Sequence, residues 1–283
     1  MRVLRTTFLL VVLTLFLMMV GSYFGGRNGM TIGLGIAICT NAFAYFFSHK
    51  IALASSGAKP VAREQLPRLY AVMERLAAKA NIPVPRLYVV PDEAPNAFAT
   101  GRNPRHASVA VTQGLLELMN DEELEGVIAH ELSHVRNYDI LISSVAATLA
   151  GAITWIAHWG MWFGGGDDNE RGRGGAIAGL LLMILAPLAA MLLQLGLSRQ
   201  REYAADATGA RMVGNQFGLI SALQKLGTYN QRIPTTAISP STSSLCIVKP
   251  MFGRGSVSSL FSTHPPLEKR IEALREMTVV PKR

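Results

Sequence analysis

The chain has 283 residues, of which 49% are hydrophobic and only 16% charged, whereas ordinary soluble domains carry roughly 25% charged residues. Its net charge of +8 does not predict nucleic-acid binding, because the sequence has neither zinc-finger spacing nor a basic run with interleaved aromatic residues. Its two cysteines, Cys39 and Cys246, are too few and too far apart for a disulfide framework or a thiolate metal site.

Four uncharged stretches are long enough to cross a bilayer, which takes about 20 apolar residues. They cover approximately residues 6–24, 29–48, 140–163 and 176–197. The first resembles a cleaved signal peptide, because Arg2 and Arg5 precede its apolar core. It is long for a signal, however, and the second stretch follows after a short glycine-rich turn, so we favour an uncleaved hairpin. The sequence thus predicts four transmembrane helices in two hairpins.

The basic residues near the ends of these spans predict their orientation. Most of them precede the first and third spans or follow the second and fourth, which places both termini and the segment between the hairpins in the cytoplasm. The spans divide the chain into a first membrane hairpin (residues 1–48), a polar segment (49–139), a second hairpin (140–197) and a second polar segment (198–283).

The first polar segment has clear local patterns. Residues 64–80 carry apolar side chains at helical spacing, which predicts an amphipathic helix. Residues 86–90 and 107–112 are rich in β-branched residues and bounded by Pro, Gly and Asn, which predicts two strands. We expect residues 96–101 between them to form a short third strand, and Asp121 to cap the helix that follows.

That helix contains the motif His130-Glu131-Leu132-Ser133-His134, in which two imidazoles lie one helical turn apart on the same face. A rigid helix can present both nitrogen donors to Zn²⁺ at the required distance of about 2.0–2.1 Å. Glu131 lies beside the ligand pair, where it can accept a proton from the attacking water and deliver it to the leaving amine. The alternative is an ordinary helix with packed or solvated histidines, but the surrounding apolar residues leave the ring nitrogens in need of partners.

A catalytic zinc site needs a third protein ligand, and the cytoplasmic segments offer four candidates. Asp139 is rotated off the ligand face, so we expect it at the membrane surface. We assign Glu202 as the ligand and Asp206, one turn later, as the carboxylate that orients a ligand imidazole. A solvated Glu202 in its basic surroundings is the alternative; His264 is the fourth candidate. Two membrane crossings separate His134 from Glu202, which returns the chain to the same side.

These residues make the sequence resemble HtpX-type membrane proteases, relatives of the CAAX prenyl proteases, along essentially the whole chain. The matching features are the two hairpins, the zinc-binding motif and three further motifs: Asn96-Ala97-Phe98-Ala99, Ser198-Arg199-Gln200-Arg201-Glu202-Tyr203-Ala204-Ala205-Asp206, and Phe261-Ser262-Thr263-His264-Pro265-Pro266. The resemblance implies a zinc endopeptidase of the bacterial inner membrane that degrades misfolded or damaged membrane proteins in a stress response. It also implies that Glu202 is the third ligand.

Two of the matching motifs have alternative roles. Asn96, Ala97, Phe98 and Ala99 look like the edge strand along which such enzymes bind an extended substrate by backbone hydrogen bonds, or they form a structural strand only. His264 either stabilises the oxyanion or occupies the fourth zinc position, or it caps the helix that begins at the two prolines after it.

The sequence therefore predicts an α+β, zincin-like metallopeptidase domain, with a small sheet beside the zinc-binding helix and four transmembrane helices. We expect one Zn²⁺ per chain, misfolded membrane or cytoplasmic polypeptides as substrates, the lipid bilayer as a partner, and no nucleic acid. One alternative is a CAAX-type processing protease that cuts a defined tail. Another is a non-catalytic membrane scaffold or chaperone with structural zinc, which would have no use for the base at Glu131.

Overall fold

The structure, a computed structural model, describes residues 2–150, 199–230, 232–239, 242–251 and 265–278. The predicted fourth span lies outside these ranges, and so does the predicted third span beyond Ala150.

The amino-terminal helix α1 (Arg2–Ser55) is a helical hairpin that reverses at two glycines. Gly25 and Gly26 have non-helical backbone torsions, and the φ of +55° at Gly26 is one that glycine adopts without a steric penalty. The two arms pack closely because they meet at glycines: a Cβ atom added to Gly29 would collide with the carbonyl of Gly21. The structure therefore has a helical hairpin at the position of the predicted first membrane hairpin, and its second arm continues to Ser55 instead of ending at residue 48.

Among the described residues, one helix is long and apolar enough by length and composition to cross a membrane, and it covers Gly25–Ser55. Leu10–Tyr23 and Asp139–Ala150 are shorter apolar helices. A polar contact fixes the hairpin, because the Asn41 side-chain amide donates to the Leu10 carbonyl oxygen at 3.2 Å. Such contacts, like close approach at small residues, are typical of helix pairs in lipid.

A mixed four-stranded sheet follows the hairpin. Its strands are β1 (Lys59–Pro60), β2 (Arg86–Val90), β3 (Ala97–Gly101) and β4 (Ala107–Thr112). The strand order is β1-β2-β4-β3, with β2 parallel to β4 and the other two pairs antiparallel. The strands predicted over residues 86–90 and 107–112 are confirmed, and the third strand begins one residue later than predicted.

Seven helices accompany the sheet in the described ranges. They are α2 (Pro67–Ala80), α3 (Gln113–Leu118), α4 (Asp121–Arg136), α5 (Asp139–Ala150), α6 (Arg199–Val213), α7 (Phe217–Tyr229) and α8 (Leu267–Glu276). Helix α2 begins three residues later than predicted because Pro67, which lacks an N–H, takes the first turn. The small sheet and its helices confirm the expected mixed α+β class.

Helix α4 lies at the centre of the domain, in contact with α2, α6, α7 and β3. Its buried apolar residues, such as Ile128 and Leu132, join one hydrophobic core with residues from both polar segments. The helix begins at a capping box in which Asn120 and Glu123 exchange hydrogen bonds of 2.9 Å. Asn120 is therefore the cap, and the prediction that Asp121 has this role is wrong.

Helix α4 does not run straight into the next helix. Helix α4 ends at Arg136, and Tyr138 adopts a left-handed φ of +60° before α5 begins at Asp139. Helix α5 then packs against the amino-terminal hairpin, and the Ser144 and Thr100 hydroxyls form a hydrogen bond of 2.7 Å that joins α5 to β3.

Candidate metal centre

The two histidines of α4 and a carboxylate of α6 converge inside the domain. The Nε2 atoms of His130 and His134 are 3.2 Å apart. Glu202 Oε1 lies 3.5 Å from His134 Nε2, and Glu202 Oε2 lies 3.7 Å from His130 Nε2. Nitrogen and carboxylate ligands held about 2.0–2.2 Å from a tetrahedral zinc ion are about 3.3–3.6 Å apart, so this triangle has the size that the ion requires.

The opposite nitrogens of both rings face carboxylates. His130 Nδ1 is 2.8 Å from Asp206 Oδ1, and His134 Nδ1 is 3.3 Å from Asp139 Oδ2. A carboxylate accepts hydrogen bonds, so each neutral ring carries its proton on Nδ1 and directs an Nε2 lone pair into the triangle. Two lone pairs 3.2 Å apart cannot hydrogen-bond to each other, whereas a cation between them satisfies both. The donor set therefore fits a metal ion.

A buried arginine holds Asp206 in place. Arg270 donates from Nε and Nη2 to the two Asp206 oxygens at 2.8 and 2.7 Å, and from Nη1 to the Ile247 carbonyl oxygen at 2.7 Å. Burial alone would raise the pKa of Asp206, but the Arg270 charge outweighs burial and holds that pKa below its ordinary value. Asp206 therefore stays ionised where it faces His130.

Sequence reasoning missed the role of Arg270, although one signal was present. Arg270 lies one turn from both Leu267 and Leu274, on the apolar side of α8. A charged residue within an apolar stripe requires a buried partner, and the neighbouring acidic motif on α6 supplies it.

Asp139 lies outside the ligand triangle, as its position off the ligand face predicts, but it contacts the ring of His134, which the sequence did not predict. The turn at Tyr138 redirects the chain so that the Asp139 carboxylate reaches the ring of His134. Burial alone would lower the pKa of His134, but Asp139 and then Glu202 outweigh it and raise that pKa to about 9. The surrounding carboxylates thus favour a positive charge at this position, whether it is a proton or a metal ion.

Glu131 is buried beside the two histidines, with 1% of its surface exposed. Burial raises the pKa of Glu131 to about 7, although the nearby His134 and then the Ala99 backbone N–H, which faces the carboxylate, lower that pKa in part. Its Oε1 atom is buried and has no hydrogen-bond partner among the described residues. A carboxylate whose pKa is close to neutrality is well suited to accept and return a proton.

Strand β3 lies at the edge of the sheet, but part of its outer side is paired with the chain itself. The Ile247 backbone N–H donates to the Ala97 carbonyl oxygen at 2.9 Å, and Phe98 forms an antiparallel bridge with Cys246. The Asn96 side chain donates to the Val248 carbonyl oxygen at 2.8 Å. The edge predicted for substrate binding is therefore occupied at its first residues, and at Ala99 it faces Glu131.

The structure thus brings His130, His134, Glu202 and Asp206 together, with Glu131 beside them. The predicted role of His264 concerns a residue outside the described ranges.

Comparisons with known proteins agree with this geometry. Residues 63–278 match the family model described as Peptidase family M48. A protein named Protease HtpX homolog from Desulfatibacillum aliphaticivorans is 52% identical over 274 residues, which cover 95% of this chain and 88% of that protein. A protein of the same name from Thermodesulfovibrio yellowstonii is 51% identical over 280 residues, which cover 98% and 99%.

A solved structure has a similar fold. The crystal structure of S. mikatae Ste24p matches 92% of this chain with a TM-score of 0.52 and 19% sequence identity. The match covers 62% of the Ste24p chain, so the present chain spans less than two thirds of that protein. At this identity the match shows a shared fold.

Proposed function

The chain belongs to peptidase family M48 and is a metalloprotease, and we propose that it is a membrane-bound zinc endopeptidase with one Zn²⁺ per chain. The polypeptide substrates that we propose are misfolded or damaged membrane and cytoplasmic proteins, and the location is the bacterial inner membrane. The apolar helix Gly25–Ser55 supports the membrane location, and the basic residues near the predicted span ends support a cytoplasmic active site.

His130, His134 and Glu202 would hold the zinc ion, with Asp206 and Asp139 fixing the two rings. When bound, zinc supplies a Lewis acid that polarises the scissile carbonyl and makes water more acidic. Glu131 takes the proton of the attacking water and transfers it to the amine that leaves. Burial of this carboxylate excludes bulk water, so the proton is retained until the peptide bond breaks.

One observation carries this proposal: two imidazoles oriented by carboxylates direct their Nε2 atoms at the same point, beside a buried glutamate with an unsatisfied oxygen. A structural zinc site would have no use for such a glutamate. Glu131 therefore favours catalysis over a scaffold or chaperone role.

We propose that an extended substrate binds along β3 from Ala99 onward, where the edge of the strand faces Glu131. Backbone pairing is independent of side-chain identity, which suits an enzyme that degrades many different unfolded chains. A CAAX-type processing protease would instead favour one defined tail, so cleavage of unfolded and prenylated peptides in parallel separates the two functions.

The test compares metal content and cleavage in three purified variants. Glu131→Gln should retain one zinc ion and lose cleavage of an unfolded polypeptide by at least about 100-fold, because the proton acceptor is gone. Glu202→Ala should lose both zinc and cleavage. Glu122→Gln, on the exposed side of the same helix, is the matched control and should keep both. Full cleavage by Glu131→Gln would rule out the mechanism.

A further inference from the structure

A second concave site lies away from the metal centre, between the end of the membrane hairpin and the sheet. It is a cavity of about 690 Å³. Six basic or ionisable nitrogen-bearing side chains line it: His49, Lys50, Arg86, Arg102, Arg105 and His106. None of its lining residues is acidic.

Within the described part of the chain, no carboxylate neutralises the positive charges in this cavity. Among the residues that the structure describes, no carboxylate forms an ion pair with Lys50, Arg86, Arg102 or Arg105. Four unpaired cations around one concavity repel each other, so a bound anion would stabilise the arrangement.

Neighbouring side chains hold part of this cation cluster in position. His106 Nδ1 is 2.9 Å from Asn103 Oδ1, so this nitrogen donates and Nε2 accepts from Arg102 Nη2 at 3.1 Å. The Arg102 guanidinium also lies over the Phe46 ring at 5.5 Å, and Lys50 Nζ lies 5.5 Å from the centre of the Phe47 ring. These contacts orient the side chains before any ligand arrives, which reduces the entropy lost on binding.

One of the residues that line the cavity has an unsatisfied polar atom. The Nδ1 atom of His49 is buried and lacks a hydrogen-bond partner among the described residues. A ligand oxygen or a water molecule at this position would satisfy it.

The position of the cavity along the membrane helix indicates the source of the anion. Gly25–Ser55 has 31 residues, and at about 1.5 Å per residue it is longer than the hydrocarbon layer of about 30 Å, which needs about 20 residues. A span over residues 29–48 fills that layer, so Phe46 and Phe47 lie at its edge and the residues from His49 onward extend to the depth of lipid headgroups. Aromatic and basic residues are typical of this depth.

We propose that this cavity binds the phosphate group of an anionic membrane lipid. Arg102 and Arg105 supply charged hydrogen-bond donors to the phosphate oxygens, Lys50 and Arg86 add positive charge, and Phe46 and Phe47 contact the upper part of the acyl chains. Basic pockets beside membrane helices bind anionic headgroups by this chemistry. The lipid source rests on the proposed membrane location.

The test uses the full chain in non-ionic detergent, titrated with phosphatidylglycerol and followed by native mass spectrometry. Arg102→Gln/Arg105→Gln should weaken phosphatidylglycerol binding by about thirtyfold, because the loss of each cation near an anionic lipid surface lowers the affinity about five- to sixfold and the two effects multiply. Lys269→Gln/Arg275→Gln removes the same charge from the exposed face of α8 and should change binding by less than about twofold. Equal affinity of the two double variants would overturn the proposal.

Two further ligands identify what the cavity binds, and a stability measurement excludes misfolded variants. Phosphatidylcholine should bind more weakly than phosphatidylglycerol, and inorganic phosphate that displaces phosphatidylglycerol at equal concentration would assign the site to soluble phosphate. Thermal unfolding shows whether each variant is folded. If Arg102→Gln/Arg105→Gln does not fold, Lys50→Gln/Arg86→Gln is used in its place. Carbonate extraction of membranes tests the proposed location separately. A chain that stays in the membrane but binds phosphatidylglycerol and phosphatidylcholine equally well would contradict the cavity assignment and leave the proposed location intact.

Discussion

Arg270 places a permanent positive charge in the interior of the protein, where only 1% of its surface is exposed. Its two hydrogen bonds to Asp206 compensate for that burial, and Asp206 in turn contacts His130. Three residues from three different helices thus form one chain of contacts that ends at the metal site. A change at Arg270 should therefore affect both stability and metal affinity.

We expect Arg270→Met to lower the free energy of unfolding by about 3–5 kcal/mol, because it leaves the Asp206 carboxylate buried without its partner. It should also weaken zinc binding by about 10–100-fold, since His130 loses its orienting contact. Denaturant unfolding and competition with a chelator measure the two effects. Arg275→Met, at an exposed position of the same helix, should change neither.

Asp139 gives a related prediction for the other ring. Asp139→Asn should weaken zinc binding by about 10–100-fold while the fold persists, because the amide holds His134 less well than the carboxylate. Asp121→Asn, an exposed acidic residue of α4, is the matched control for chelator competition. Unchanged zinc affinity in Asp139→Asn would show that this contact does not orient the ring.

The site residues differ in how far the sequence specifies them. His130, Glu131 and His134 follow from one local motif, and Glu202 follows from the requirement for a third ligand on the same side of the membrane. Asp139 could not be placed, because it depends on a left-handed torsion at Tyr138 that nothing in a tyrosine indicates.

At the scale of elements, α4 and α7 cross where neither helix carries a side chain. A Cβ atom on Gly126 would lie 2.6 Å from the Leu219 backbone nitrogen, and one on Gly218 would collide with the Glu122 carbonyl oxygen. Because backbone cannot move aside as a side chain can, the two helices would have to separate. Separation would disturb the helix that carries both histidines.

We therefore expect Gly218→Ala to lower the free energy of unfolding by about 1–3 kcal/mol or more. Gly227→Ala on the same helix is the control, because its Cβ would approach only the methyl end of Leu267, at 3.0 Å. Thermal unfolding of the two variants, run side by side, measures the difference. Equal unfolding temperatures would mean that the crossing tolerates a methyl group.

The amino-terminal end of α4 contains an ion pair that makes stability depend on pH. Burial would raise the pKa of Glu123, but hydrogen bonds from Lys225 and Ser221 outweigh burial and lower that pKa below its ordinary value of 4.5. The folded state therefore holds the ionised form more strongly than the unfolded state does. This stabilisation is present above the unfolded pKa and is lost as the pH falls through the folded pKa.

Glu123→Gln tests this linkage. The variant should be less stable than the wild type at pH 6–8 by about 1–3 kcal/mol, and the difference should shrink below about pH 4.5. Denaturant unfolding across this pH range measures it, with Glu122→Gln as the exposed control. A difference that stays constant into acid would contradict the ion-pair explanation.

Sequence patterns specified elements well where the information is local. The β-branched residues between Pro and Gly or Asn give the bounds of β2 and β4, and helical spacing gives α2 apart from its first turn. The patterns failed where tertiary contacts decide. The second arm of α1 continues to Ser55 because Ala52 and Leu53 pack against the sheet beneath it.

At the scale of the whole molecule, the metal site joins segments that are distant in sequence. His130 and His134 belong to the first polar segment and Glu202 to the second, and one hydrophobic core includes residues of both. A metal ion that binds the folded chain alone stabilises it by mass action.

Zinc removal should therefore lower the temperature of unfolding. At a zinc concentration about 1,000 times the dissociation constant, the expected contribution is about 4 kcal/mol. The shift between chelator-treated and zinc-loaded protein should be absent in Glu202→Ala and retained in Glu122→Ala. Calorimetry of the full chain in detergent measures it, and a zinc-dependent shift that survives in Glu202→Ala would assign the metal to other ligands.

The self-pairing of β3 has a consequence for which proteins are cut. Under the proposed binding along β3, the hydrogen bond between Ala97 and Ile247 would block one end of the strand, and an incoming extended chain would align from Ala99 toward Gly101. A native domain cannot offer such an extended chain, because its own backbone groups are already paired. The proposal therefore implies that an unfolded state of the substrate, and not a recognition sequence, determines which proteins are degraded.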